Sequence, residues 1–320
     1  MTVSIIIAVK TWQKNLEECV SKCQELDYPD FEILVLPDES INKDLSSYGI
    51  KIIPTGPVSP AKKRDIALKY AQGEILAFID DDAYPTKDWL KNAIKNFSDP
   101  QVVAVGGPAT TPSDDTLRQK ASGLVYASFL VSGQYRYRYI PKHKIEVDDY
   151  PSCNFLVRKT VFEELGGFDT VFWPGEDTKL CLDITKKLSQ KIIYDPRVIV
   201  YHHRRPLFSS HLKQIANYAL HRGYFVKRYP QTSLKFSYFI PSLFLLFLIV
   251  GGIIAWFFGG FLRMSYLFSL FLYLFSVLIF SINRDLRLIA LVFPGIILTH
   301  LTYGLWFLKG LVSKKLREEL

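Results

Sequence analysis

The sequence predicts an α/β domain, a mostly parallel sheet with helices on both faces, followed by a helical domain that crosses a membrane. Three observations predict it. Short apolar runs alternate with helix-forming segments through residues 1–203. Three long uncharged runs then follow one another to the C-terminus. Between them, three carboxylates in AFIDDDAYP (77–85) stand directly after a run that reads as a fully buried strand.

The first element is SIIIAV (4–9), an apolar run that predicts a strand. NLEECVSKCQEL (15–26) predicts a helix and FEILVL (31–36) a second strand. A short strand near KIIP (51–54) follows, then a helix from Pro60 to Ala71 that ends at Gly73. EILAFI (74–79) is the next strand, DWLKNAIKNF (88–97) a helix and VVAVGG (102–107) a strand. This alternation is the rhythm of a parallel sheet covered by helices. Neither G-x-G-x-x-G after the first strand nor G-x-x-x-x-G-K-[ST] occurs, so phosphate must be held another way. A carboxylate-bound metal is one such way.

From Thr110 to Pro151 the pattern weakens. A helical stretch around LRQKASGLVYASFL leads into QYRYRYIPKHK, where tyrosines alternate with arginines. This reads either as a surface facing an acceptor molecule or as an exposed strand. GGF (166–168) closes a further helix and forces a turn. Glu176 and Asp177 then stand before an amphipathic helix, preceded by Trp173, Pro174 and Gly175. In isolation such residues would only complement a helix dipole.

Net charge is +8, and it is uneven. Between Arg204 and Lys235 there are seven basic residues and no acidic one. Phe208, Leu212, Ile215, Ala219 and Val226 recur there at roughly helical spacing. Because 204–235 runs straight into an uncharged segment, it reads as a basic amphipathic helix on an anionic membrane surface, not as a nucleic-acid site. The other reading is a solvated helix packed on its own domain. The remainder, 236–320, predicts about three membrane helices, 236–260, 264–283 and 287–308, with a basic tail. Three crossings leave the tail outside, whereas the basic residues Lys309, Lys314, Lys315 and Arg317 favour the inside. Pro294 and Gly295 could instead break the last segment and let it re-enter. TVSIIIAV after Met1 lacks the basic region and cleavage site of an export signal, so the first domain is expected on the cytoplasmic face of a cytoplasmic membrane. Cys19, Cys23, Cys153 and Cys181 have no zinc-site spacing and are expected to be reduced.

Taken together, these motifs resemble those of a family 2 glycosyltransferase of the GT-A fold, membrane-bound and non-processive. The resemblance covers about residues 3–203. SIIIAVK stands where these enzymes begin their nucleotide-binding half; VLPDES resembles the segment whose Asp, here Asp38, contacts the nucleobase. PAKKRDIALKYAQGEILAFIDDD resembles the run that ends in the DxD motif, and SCNFLVRKTVFEELGGFD the acceptor-side segment. GED resembles the motif of the catalytic base, and IIYDPRVIVYHH the strands before a metal-side histidine. There are departures. AVKTWQKN replaces a Pro-Thr-Tyr-Asn-like turn, Arg64-Asp65 replaces Arg-Asn, and no Q-x-x-R-W follows the histidines. The last departure argues against a processive synthase.

The resemblance implies inverting transfer of a sugar from a nucleotide-diphosphate donor (UDP-, GDP- or dTDP-linked) to a hydroxyl of a lipid-linked or membrane-presented acceptor. It assigns Mn²⁺ or Mg²⁺ to Asp82 and Asp80 with His202 or His203, and Asp80 or Asp81 to the ribose or a metal-bound water. Ala8, Lys10, Asp38, Lys63 and Arg64 are expected on the donor, and Glu176, Trp173 and Asn154 on the acceptor. Asp177 is expected to be the general base. A polyprenyl-phosphate sugar synthase, whose nucleophile is a phosphate, is the alternative. A non-catalytic membrane scaffold is a third reading, which the cost of clustering carboxylates opposes.

Overall fold

A computed structural model describes residues 1–41 and 49–319. The strands are β1 (Val3–Ala8), β2 (Phe31–Leu36), β3 (Ile50–Ile52), β4 (Ile75–Asp80), β5 (Ala83–Pro85), β6 (Val102–Gly106), β7 (Ala109–Thr110), β8 (Ile145–Val147), β9 (Asn154–Arg158), β10 (Lys191–Tyr194) and β11 (Val200–His202). The helices of the first two-thirds are α1 (Lys14–Gln24), α2 (Pro60–Ala67), α3 (Trp89–Ile94), α4 (Leu117–Ala127), α5 (Phe129–Ser132), α6 (Lys159–Glu164) and α7 (Glu176–Leu182). The last third is helical: α8 (Ser209–Arg228), α9 (Pro230–Ser233), α10 (Phe236–Leu246), α11 (Gly252–Phe258), α12 (Gly260–Ser281) and α13 (Leu286–Val312).

The chain divides into two compact units, and the division does not follow the sequence. Residues 1–110 and 137–203 form one; residues 111–136 leave it and join 204–318 in the other. The expected domain 1–203 is therefore interrupted. α4 explains the excursion, because its Ala121 and Val125 belong to an apolar cluster with Leu207, Val277, Val292 and Ile296 of the second unit.

In the first unit, strands run β3-β2-β1-β4-β9-β6-β10-β8 across the main sheet. β1, β2, β3 and β4 are mutually parallel, and β9 is antiparallel to both β4 and β6. β1 is buried along its whole length, as a strand covered on both faces must be. In register, Ala8 lies beside Leu36 on one side and Asp80 on the other, so three strands end at one level. The loops after them form one edge, where α/β sheets hold ligands. A second sheet, β5-β11-β7, stands beyond that edge.

Local chemistry sets the helix ends. Ser59 caps α2 by accepting from Lys62 N, with Pro60 in the first turn. α2 ends at Ala67, four residues before the expected Ala71, and continues as a turn. Thr116 and Gln119 form a capping box at α4. QYRYRY is not a strand: Gly133–Arg138 is a 3₁₀ helix, with Tyr137 buried against Tyr150 and Tyr194. All four cysteines are free thiols, three of them buried.

The second unit holds three helices long and apolar enough to cross a membrane, Phe236–Phe258, Gly260–Ser281 and Leu286–Glu319. α8 differs from the expected surface-lying helix. Its apolar side, including Ile215, Ala219 and Phe225, is buried, while Lys213, Asn217, Tyr218, Lys227 and Arg228 are exposed. The buried side meets α13. A Cβ on Gly223 would stand 2.1 Å from Phe307 O, and one on Gly310 would stand 2.0 Å from Leu220 O. Glycine at both positions lets the two backbones touch, the close packing small residues allow between helices. His211 adds a polar tie, its Nδ1 2.8 Å from Ser122 Oγ and its Nε2 3.0 Å from Thr299 Oγ1. Contacts advance together along both chains, from Leu207 near Gly295 to Leu220 near Gly310, so α8 runs parallel to the C-terminal half of α13.

Candidate active site

The acidic run at the end of β4 becomes a site through strand pairing. Asp80 ends β4, Asp81 and Asp82 turn the chain, and β5 then pairs antiparallel with β11. The register sets His202 opposite Ala83, so a histidine far along the chain arrives beside Asp82. His202 Nε2 lies 3.0 Å from Asp82 Oδ1. One ligand atom each from Asp80, Asp82 and His202 falls within 4.8 Å of the others. Two carboxylate oxygens and one imidazole suit Mn²⁺, and the oxygens alone suit Mg²⁺.

His203, the other metal-side candidate, turns elsewhere. Its Nε2 lies 3.0 Å from Glu18 Oε2, and its backbone N–H donates to the Asp82 carbonyl at 2.9 Å. Asp81 also leaves the metal group: it accepts from Gln13 Nε2. Burial first, then the charges of Asp82 and Asp80, pushes the Asp81 carboxyl up to about 6.

Two basic residues of α2, expected near a diphosphate, have protein partners. Lys63 is buried, with its ammonium 2.6 Å from Asp38 Oδ1, 3.2 Å from Leu36 O and 2.9 Å from Thr55 Oγ1. Two hydrogen bonds and one ion pair therefore hold the ammonium in place. Arg64, 3% exposed, spans the site. Its Nη2 donates to Asp80 Oδ1 at 2.7 Å, while Nη1 lies 3.0 Å from Ser152 Oγ and 3.2 Å from Glu176 Oε1. It reaches the donor side only by holding Asp80. Lys10 stays exposed on the loop after β1, its carbonyl accepting from Asp38 N at 2.9 Å.

Opposite the metal group, α7 starts at Gly175 (φ 124°), a backbone that favours glycine. The next two residues have different surroundings. Glu176 is 4% exposed, faces Arg64 and accepts from Gly175 N at 3.0 Å. Burial, with Asp177 beside it, pushes its carboxyl up to about 8 against the pull of Arg64. Asp177 is half-buried; its Oδ2 accepts from Ser152 N at 3.3 Å and its Oδ1 from Thr178 N at 2.8 Å. Trp173 is 46% exposed just before this turn.

Asn154 corrects another expectation. It is fully buried, and its amide nitrogen lies 2.7 Å from both the Gly107 and Val198 carbonyls, while its oxygen accepts from Trp89 Nε1 at 2.9 Å. All of it fastens the sheet, leaving no atom for an acceptor. Asp65, which stands where the resemblance expects Asn, accepts from Phe168 N at 3.0 Å through Oδ1. That bond fixes the Gly166–Gly167 turn, where Gly167 has φ 83° and no room for a Cβ beside Asp65. Sequence reasoning missed Ser152, Gln13 and Glu18, which orient Arg64, Asp81 and His203 and carry no signal of their own in the chain.

Residues 4–166 match the family model described as Glycosyl transferase family 2. A pre-mycofactocin glycosyltransferase of Mycobacterium tuberculosis is 27% identical over 146 residues, 46% of this chain but 30% of that protein. This chain therefore spans less than a third of that relative. A dolichyl N-acetyl-alpha-D-glucosaminyl phosphate 3-beta-D-2,3-diacetamido-2,3-dideoxy-beta-D-glucuronosyltransferase of Methanococcus voltae is 23% identical over 246 residues, 71% of this chain and 74% of that protein. Among solved structures, mannosyltransferase PcManGT from Pyrobaculum calidifontis, in complex with GDP-Man and Mn²⁺, has a TM-score of 0.63 at 19% identity, covering 98% of this chain and 88% of that one. At that identity the likeness is one of fold, the GT-A fold.

Proposed function

The chain belongs to glycosyl transferase family 2, and from that premise we propose that it moves a sugar from a nucleotide-diphosphate donor, with inversion at the anomeric carbon, to a hydroxyl of a lipid-linked acceptor at a membrane face. The observation that carries this reading is the meeting of Asp80, Asp82 and His202 at one point, with Arg64 linking Asp80 to Glu176 beside Asp177. Two carboxylate groups on opposite sides of one guanidinium match the two ends of a displacement.

Asp80, Asp82 and His202 would hold a divalent cation, which neutralises charge on the departing diphosphate. Asp38 faces the nucleobase from the end of β2, and Ala8 and Lys10 border the same edge. On the other side Asp177, the less buried carboxylate, takes the proton of the acceptor hydroxyl as its oxygen bonds to C1. The bond from C1 to the diphosphate oxygen breaks, and the nucleoside diphosphate leaves with that electron pair. Glu176 carries the proton that burial favours and fixes Arg64; Trp173 offers a flat apolar face to an acceptor sugar. The Methanococcus voltae relative is named for a dolichyl phosphate-linked sugar, which supports a lipid carrier here.

Our reading of the membrane arrangement is supported by α8. Its outward side chains need water, it precedes every apolar helix in the chain, and it runs beside the last half of α13. On this reading that half of α13 lies in water on the side where the chain first enters the membrane, and the chain crosses twice, out through α10–α11 and back through α12. Two crossings stand on this reading in place of the three expected from the sequence, and Lys309, Lys314, Lys315 and Arg317 lie on the inside. A cysteine at Ser313 should be protected from an impermeant thiol reagent in intact cells; labelling there would restore the third crossing.

The catalytic reading is tested with the full chain in detergent, a panel of nucleotide sugars and a membrane lipid extract. Nucleoside diphosphate should be released and label should enter the lipid with Mn²⁺, and both should stop with EDTA. Release from none of the donors would overturn the proposal.

A further inference from the structure

The pairing of Lys63 with Asp38 has a consequence for the donor. Resting on the reading that Asp38 faces the nucleobase, we infer that the site selects uridine or thymidine diphosphate sugars over guanosine diphosphate sugars. Lys63 is the specificity-determining residue.

Asp38 is held rigidly. Its backbone N–H donates to Lys10 O at 2.9 Å, and its carbonyl accepts from Gly56 N at 3.0 Å. Its Oδ1 is wholly buried under the Lys63 ammonium, an ion pair at 2.6 Å, and accepts no hydrogen bond. The side chain as a whole is still 22% exposed. The accessible oxygen is therefore Oδ2. Lys63 cannot follow a rotation that would bring Oδ1 out, because Leu36 O and Thr55 Oγ1 hold it at 3.2 and 2.9 Å. Thr55 is itself anchored, its Oγ1 3.0 Å from Pro37 O.

A carboxylate with both oxygens open can accept two parallel donors. With one oxygen locked it accepts from one. Uracil and thymine present a single ring N–H, at N3, flanked by carbonyls. Guanine presents N1–H and N2–H₂ side by side, which call for both oxygens. Against Asp38 a guanine would bury one donor without an acceptor, the kind of mismatch that sites built for hydrogen bonding reject strongly. The loss corresponds to about tenfold in affinity or more.

The test is calorimetric titration of the full chain in detergent with UDP, dTDP and GDP, each with saturating Mn²⁺. UDP and dTDP should bind about tenfold or more tighter than GDP. GDP binding as tightly as UDP overturns this inference and leaves the proposed function standing. Absence of binding by all three overturns the proposed function and this inference with it. Lys63→Met frees Oδ1 and should narrow the gap to about threefold or less; a gap that survives folded Lys63→Met overturns the role of Lys63. Should that variant not fold, Asp38→Ala serves instead: UDP affinity should fall to that of GDP, and a retained preference overturns the inference.

Discussion

The two acidic clusters of the catalytic unit are built from the same side chains and end in opposite conditions. At the end of β4 the aspartates are pooled with a histidine, and the carboxylates of Asp80 and Asp82 remain partly open. At the start of α7 two adjacent carboxylates differ in burial, Glu176 inside against Arg64 and Asp177 half-buried. The first arrangement asks for an added positive charge; the second sets a buried carboxyl, which burial inclines to hold its proton, beside a more open one. Environment, not residue type, assigns the chemistry. Arg64 touches both clusters, so a change on one side should be felt on the other.

The strongest way to break this contrast is to remove one ligand of the open cluster. Asp82→Ala leaves Asp80 tied to Arg64 and His202 without its carboxylate neighbour. Mn²⁺-dependent binding of nucleotide sugar should disappear in calorimetry, and turnover should fall about 10³-fold, the scale of a Lewis-acid contribution of several kcal/mol. Far-UV circular dichroism should not change. Unaltered Mn²⁺-dependent binding would dissolve the metal side of the comparison.

Asp177→Asn probes the other cluster. The amide keeps the shape and one of the two backbone contacts, so stability should drop by about 1 kcal/mol. Single-turnover transfer to a hydroxyl acceptor should drop about 10²- to 10⁴-fold while donor affinity holds. A lipid phosphate is already ionised and needs no base, so near-normal transfer would point to that nucleophile and away from Asp177.

How much of this was readable in the chain depended on the range of the interaction. The strands at 4–9, 31–36 and 74–79 announced themselves because burial on both faces demands continuous apolar runs. DDD was visible for the same local reason. The choice of His202 over His203 was not, since it rests on the β5–β11 register, which pairs His202 with Ala83. The sequence suggests Lys63 and Arg64 as positive charge near a diphosphate but is silent on their partners, Asp38 and Thr55 for one and Ser152 and Glu176 for the other. Residues 111–136 read as part of the first domain because nothing in Ala121 or Val125 says which apolar surface will cover them. The amphipathic pattern of 204–235 revealed that α8 has an apolar face, but a membrane and α13 would both satisfy it.

A milder change tests whether Arg64 couples the clusters. Lysine carries one compact charge and cannot hold Asp80, Ser152 and Glu176 together as the planar fork does. Arg64→Lys should keep the fold and lower kcat about 10- to 100-fold through misplacement of Asp80, with a smaller effect on donor affinity. Rescue of binding but not of turnover by raised Mn²⁺ would separate positioning from charge. Equal kcat in both proteins would show that the clusters work independently.

The smallest effect sharpens the buried half of the comparison, through stability alone. The Glu176 carboxyl is raised from its ordinary 4.5 to about 8 by burial and the neighbouring Asp177. Between those values the folded protein holds a proton that the unfolded chain has lost, so unfolding releases it and stability falls as pH rises. The contribution is full below about 4.5 and gone once pH passes about 8. Thermal melts of the wild type should therefore decline across that window, over and above other titrating groups. Glu176→Gln keeps the neutral form permanently and still accepts from Arg64 through its amide oxygen. The difference between the two melting temperatures should be near zero at pH 5 and should favour the glutamine variant at pH 8.5. A difference that stays constant from pH 5 to 8.5 would mean that Glu176 is ionised beside Arg64 throughout, and the two clusters would then differ in geometry but not in charge.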